Sequence, residues 1–181
     1  MSNSSIEHQQ LVFQGRVIRV NVEHVRLPNQ RLAELEIIHH PGGAAILALD
    51  TQQRLCLLHQ YRHAAGGWIW ELPAGKIDHG EPHLQTAQRE LQEEAGCTAG
   101  HWHYLGSYLS SPGVFTEVIH LYLATQLIHT GNQPEEHEVF RVEWLPLEHV
   151  MTMVRQGQIQ DGKTLVALLL AQPHLQPHPT P

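Results

Sequence analysis

Apolar residues recur at every second position in two N-terminal stretches. Residues 16–25 (RVIRVNVEHV) set Ile18, Val20 and Val22 in step, and residues 32–38 (LAELEII) do the same with Ala33, Leu35 and Ile37. Period-two alternation predicts two strands, each with one buried face, joined by a turn at Pro28-Asn29. Residues 43–50 (GAAILALD) and 54–61 (RLCLLHQY) are apolar runs split by Thr51-Gln52-Gln53, which predicts a hairpin in the core sheet. Residues 63–81, rich in Gly, Pro and Trp, read as an ordered loop. In residues 83–95 the period changes: Leu84, Ala87, Leu91 and Ala95 fall three and four apart, one apolar stripe on a helix. Pro82 suits its start and Gly96 its stop. Strand patterns return at 102–109, 117–128 and 139–145, and helical ones at 147–155 and 163–172. The order predicts an α+β fold, mostly strands with about three helices.

Length and charge narrow the class. A chain of 181 residues favours one domain, and neither an internal repeat nor a linker divides it. The formal net charge of −7 argues against a nucleic-acid-binding protein, which presents a basic face. The first thirty residues lack the basic start and apolar run of a signal peptide. The longest apolar stretch, Leu165 to Ala171, is far short of the roughly 20 residues that span a bilayer, so no membrane association is expected. Two cysteines, Cys56 and Cys97, make no disulfide framework, and a reducing cytoplasm is the expected setting. Sixteen histidines are unusual, but His39-His40, His79, His83, His101 and His103 show no metal-ligand spacing.

The chemistry concentrates in residues 75–97. Gly75 is followed after five residues by Glu81, and after seven more by Arg89-Glu90-Leu91-Gln92-Glu93-Glu94-Ala95-Gly96-Cys97. Glu90 and Glu94, four apart, stand on one helix face with Glu93 alongside, and Arg89 is spaced to pair with Glu93. Carboxylate oxygens are hard ligands suited to Mg²⁺ or Mn²⁺. An acidic helix face opposite an apolar stripe also has a plain explanation, a solvated surface. Glu94, placed on an exposed helix face, is expected to lose activity on replacement by Gln with little loss of fold.

The full spacing decides against a merely solvated face. It fits GX5EX7REUXEEXGU, with U apolar, at every specified position, and a chance match in a chain this long is on the order of one in ten million at average residue frequencies. The segment resembles the Nudix hydrolases, with Cys97 replacing the more usual aliphatic residue. The resemblance implies an α/β/α sandwich around a central mixed sheet, with an N-terminal antiparallel strand extension. It implies that Glu90, Glu93 and Glu94 bind metal and that Arg89 orients a glutamate. Glu81, Gly75 and Gly96 are motif positions, and the Ala74 carbonyl is a further metal ligand. The cofactor implied is Mg²⁺, with Mn²⁺ as a possible substitute.

Outside the box, Gln60-Tyr61-Arg62 followed by Glu71-Leu72-Pro73-Ala74-Gly75, and Ser111-Pro112-Gly113 with Glu117, resemble the ADP-ribose and ADP-sugar pyrophosphatases. This implies hydrolysis of ADP-ribose to AMP and ribose 5-phosphate. Arg62, Glu71, Pro112 and Glu117 would then be the substrate-binding residues. Residues alone leave alternatives: Arg62 as a solvated strand end, Glu71 as an adenine contact or a loop cap, Pro112-Gly113 as a turn, and Trp68 and Trp70 as base-stacking or packing residues. The same resemblance implies a catalytic glutamate in the second acidic cluster, 135–138, where register on Arg141-Val142 puts Glu136 at the base that deprotonates the attacking water and Glu138 at a further metal-contacting position. A solvated acidic loop is the competing reading. By the same resemblance, residues 1–40 are expected to pair across a homodimer and contribute to the site, and residues 41–172 to form the hydrolase domain; residues 173–181 are expected to be a flexible tail. The substrate is thus a nucleotide sugar, with GDP-mannose, other nucleotide sugars and dinucleoside polyphosphates as alternatives. A non-catalytic metabolite sensor is a third class, which an intact box disfavours.

Overall fold

The computed structural model describes residues 4–131 and 139–175. The chain divides into two compact units, Met1–Gly42 with Leu109–Val118, and Gly43–Tyr108 with Ile119–Pro181.

The first unit is built on a three-stranded antiparallel sheet of β1 (Ser5–Gln14), β2 (Arg19–Arg26) and β3 (Leu32–His39), in that order. The two alternating stretches became β2 and β3, but the expected buried faces are corrected: Val20 and Val22 are only half-buried, Leu35 is exposed, and no residue of β3 is buried. Asn21, Glu23 and Val25 form the buried face of β2, so two of its three inward residues are polar. His39 Nε2 lies 2.8 Å from Glu23 Oε1 and answers that buried carboxylate. β1 was not legible from its pattern. Every one of its residues is exposed, so no buried face imposed an alternation. Beyond β3, the amide of Ile38 donates to Val114 O at 2.7 Å, and Thr116 N donates to Ile38 O at 2.9 Å.

The second unit is an α/β/α sandwich. Its mixed sheet runs β7-β4-β9-β8, where β4 is Gly43–Ala48, β7 Ala74–Lys76, β8 Cys97–Leu109 and β9 Val118–His129. β4 pairs parallel to β9 and antiparallel to β7. Every residue of β4 is buried, because its two faces serve two cores. Ala44, Ile46 and Ala48 pack with Ala87, Leu91 and Ala95 of helix α1 (His83–Ala95). Ala45 and Leu47 pack with Val150 and Met153 of α2 (Leu147–Arg155) and with Ala167, Leu168 and Ala171 of α3 (Gly162–Leu175). This is why the sequence shows a continuous apolar run there.

A second sheet runs β10-β5-β6, with β5 at Arg54–Arg62, β6 at Gly67–Glu71 and β10 at Phe140–Pro146. The expected hairpin of 43–50 with 54–61 is therefore only a corner. Leu49 bridges Leu55, and the strands then part into different sheets. The Asp50 carboxylate holds the corner by accepting from the amides of Gln52 and Arg54, each at 2.8 Å.

The stretch expected to be loop, 63–81, contains β6 and β7. A 3-10 turn at His63–Ala65 reverses the chain, and β6 returns along β5 with Trp68 opposite Tyr61. Trp70 stacks on His59 at 4.4 Å between centroids, and Trp68 meets Tyr61 edge-on at 5.9 Å. The two tryptophans thus pack onto the neighbouring strand. α3 continues to Leu175, past the expected start of the tail at 173, and 176–181 lie outside the described residues. Among the described residues, no helix is long and apolar enough to cross a membrane.

Candidate active site

Helix α1 carries most of the chemistry, and its ends are fixed by backbone. Pro82 enters in an extended conformation, and Gly96 closes the helix in the left-handed region at φ 64°, donating its amide to Gln92 O and Leu91 O. A left-handed closing residue favours glycine, which has no Cβ to clash. Between these ends the apolar stripe locks the helix onto β4, which sets the azimuth of each glutamate.

Arg89 is the hub of the acidic side. Its Nε and Nη2 donate to the two oxygens of Glu81, each at 3.2 Å, and its Nη1 donates to Glu90 Oε1 at 2.6 Å and Glu93 Oε2 at 3.0 Å. Its Nη2 also reaches Lys76 O at 3.3 Å. One guanidinium thus ties three carboxylates and the strand before the helix. The hydrogen bond from Arg89 holds the Glu81 carboxyl down at about 2, against an opposing push from desolvation and with help from the Thr86 hydroxyl. The three carboxylates in turn push the Arg89 pKa up.

Glu90 and Glu94 depart from the expected solvated face, for they are 8% and 1% exposed. Glu94 Oε2 accepts from the Ala74 amide at 2.7 Å, so the last glutamate of the box reaches back to the segment that enters it. Glu90 lies against Gly75, where an added Cβ would overlap its carboxylate. The motif glycine is therefore required for space. The expected exposed position of Glu94 is corrected accordingly: a buried carboxylate bonded to a backbone amide contributes to structure as well as to chemistry.

Segment 71–75 has further anchors outside α1. Glu71, 1% exposed, accepts from Arg62 Nε at 2.8 Å and from Lys163 Nζ. Leu72 N donates to the buried Thr164 hydroxyl at 3.0 Å, and Pro73 O accepts from Ile46 N at 2.9 Å. Ala74, Gly75, Glu81, Arg89, Glu90, Glu93, Glu94, Arg62 and Glu71 all belong to the second unit. Pro112 and Glu117 belong to the first. There Ser111-Pro112-Gly113-Val114 forms a turn closed by Val114 N to Ser111 O at 3.2 Å. Glu117 Oε1 lies 3.2 Å from His40 Nδ1. Glu136 and Glu138 lie outside the described residues.

The sequence reading missed Lys163, Asp161 and Thr164. The only trace they left was an acid and a base flanking Gly162 at a helix start. It also missed a cluster built on histidines: His83 stacks on His120 at 4.0 Å and 7°, His83 Nδ1 bonds the Tyr122 hydroxyl, and the Tyr104 hydroxyl lies 3.0 Å from His120 Nδ1. Burial and the neighbouring His83 both lower the His120 pKa.

The donor set fits a hard divalent cation in kind: three carboxylates within one helical turn, one of them in a cradle only glycine leaves open. It is not assembled as a cage. Among the described residues no three His, Cys, Asp or Glu side chains are gathered to hold a metal. Arg89 draws Glu90 and Glu93 to itself while Glu94 turns to the Ala74 amide.

The profile of the NUDIX domain matches residues 39–168. The methanol dehydrogenase activator of Bacillus methanolicus is 36% identical over 163 residues, 89% of this chain and 88% of that protein. The ADP-ribose pyrophosphatase of Bacillus subtilis (strain 168) is 35% identical over the same shares. The crystal structure of an ADP compounds hydrolase superposes with a TM-score of 0.82 at 22% identity, over 97% of this chain and 95% of that one, a likeness of fold.

Proposed function

The chain belongs to the Nudix hydrolase family, and from that membership we propose that it hydrolyses the pyrophosphate bond of ADP-ribose or a related ADP-sugar, with Mg²⁺ as cofactor. The observation that carries the reading is the Arg89-centred carboxylate set joined to segment 71–75 through Glu94 and Ala74. Its likeness to an ADP-ribose pyrophosphatase over 89% of the chain supports the substrate.

In this reading Glu90, Glu93, Glu94 and the Ala74 carbonyl hold the cation. When bound, it supplies charge neutralisation on the pyrophosphate and activation of the attacking water. The residues supply the rest. Arg89 orients Glu90 and Glu93 and is itself fixed by Glu81. Arg62 meets a substrate phosphate, for which its fork is suited, and Glu71 holds Arg62 in place. Glu136 takes the proton of the water, whose oxygen bonds to one phosphorus as the bridging P–O bond breaks. AMP and ribose 5-phosphate leave. Glu138 is a further metal contact in this reading.

We further infer a homodimer of two such chains acting in the cytoplasm. β1 exposes Ile6, Leu11, Val12 and Phe13, apolar surface suited to a second copy. Free, buried Cys56 and Cys97 suit a reducing compartment.

The test is product analysis with ADP-ribose, other ADP-sugars, GDP-mannose and dinucleoside polyphosphates, with Mg²⁺ and with EDTA. AMP and ribose 5-phosphate, formed from ADP-ribose in preference to the others and lost in EDTA, are expected. Preference for GDP-mannose would overturn the substrate, and undiminished turnover in EDTA would overturn the metal.

A further inference from the structure

Four charged side chains meet where β6 ends and α3 begins. The Glu71 carboxylate takes Arg62 Nε on one oxygen, at 2.8 Å, and Lys163 Nζ on the other. Lys163 Nζ also donates to Asp161 Oδ1 at 3.0 Å. The second oxygen of Asp161 accepts from the amide and the hydroxyl of Thr164, at 3.0 and 2.6 Å. The group is therefore two cations and two carboxylates in alternation, from a strand end to a helix start. It is graded in exposure. The Glu71 side chain is 1% exposed and Lys163 13%, whereas Arg62 is 41% exposed.

The grading assigns different tasks to the two cations. Arg62 sits at the solvent side, where an incoming anion arrives. Lys163 lies inside, against the carboxylate that would otherwise compensate Arg62. With Lys163 present the formal charges of the four sum to zero. Without it, Arg62 faces two carboxylates and the group carries −1. In a half-buried setting the effective dielectric is well below that of water, so this change is felt strongly at Arg62. A phosphate approaching Arg62 would meet a site whose cation is already outnumbered.

We propose that Lys163 is a positioning residue for the hydrolysis: it takes up the charge of Glu71, so that Arg62 keeps its attraction for the substrate's pyrophosphate. The proposal rests on the reading of Arg62 as a phosphate contact. Its effect falls on substrate binding, because the bonds of Lys163 run to Glu71 and Asp161, away from the box glutamates. Asp161 has the supporting task of fixing Lys163 while capping α3.

The test compares K163M and K163R in steady-state kinetics with ADP-ribose and Mg²⁺, alongside their Tm values. K163M should raise KM about tenfold with kcat within about twofold, the signature of lost binding shared by ground and transition states. K163R keeps the charge, should return KM to within about threefold of wild type, and remains measurable if K163M alone does not fold. An unchanged KM in K163M, a fall in kcat at constant KM, or a tenfold KM defect in K163R would each overturn the proposal, as would a loss of Tm without a change in KM. If the wild type spares ADP-ribose and cleaves GDP-mannose, the substrate reading fails, and the same variants are read on GDP-mannose, whose pyrophosphate presents the same charge.

Discussion

At Glu94 structure and chemistry compete for one side chain. One oxygen fixes the Ala74 amide at 2.7 Å, and the carboxylate is proposed to hold the cation. E94Q keeps a carbonyl oxygen for that amide and loses the charge. Its activity should fall at least about a hundredfold while Tm changes little. E94A strands the amide as well and should cost about 1–3 kcal/mol of stability, read by urea denaturation. An active E94Q enzyme would remove Glu94 from the metal site. Glu81 makes a prediction in pH. Its folded pKa, about 2, lies below the ordinary 4.5, so its contribution is complete above pH 4.5 and is lost as pH falls toward 2. The whole shift is worth on the order of 3 kcal/mol. E81Q should therefore lower stability at pH 6 and flatten the acid limb between pH 4.5 and 2. A wild-type acid limb in E81Q would show that Arg89 does not hold this carboxylate. The sequence marked both residues through their spacing. It did not show that Glu94 is buried, because burial depends on what covers the helix face.

The decisive element is α1, whose limits and apolar stripe were legible because period, Pro82 and Gly96 agree on them. Truncating Leu91, fully buried between α1 and β4, should cost about 2–5 kcal/mol. Segment 71–75 was not legible in this way. Its conformation depends on partners far along the chain: Thr164 for Leu72, Lys163 for Glu71, Glu94 for Ala74. T164V leaves the buried Leu72 amide without its acceptor and should destabilise by about 1–3 kcal/mol. A neutral T164V, measured by thermal unfolding, would show that another group satisfies that amide. β6 and β7 were hidden by the Gly, Pro and Trp that surround them, and β1 by its full exposure.

For the whole molecule, the proposed dimer gives the clearest prediction. L11E/F13E places charge at two exposed apolar positions of β1 and should shift sedimentation from dimer to monomer, whereas an unchanged dimer would move the interface elsewhere. The strand character of β2 and β3, though not their buried faces, the two-faced burial of β4 and the box on α1 were determined by sequence, because each follows from local periodicity or from fixed spacing along one element. The tertiary structure alone decided that β4 and β5 part into two sheets, that Glu90 fills the space left by Gly75, and that Arg62, Glu71, Lys163 and Asp161 share one charge network. Residues 71 and 163 stand 92 positions apart. No local pattern encodes such a contact, for it exists only when β6 and α3 have packed against the same core.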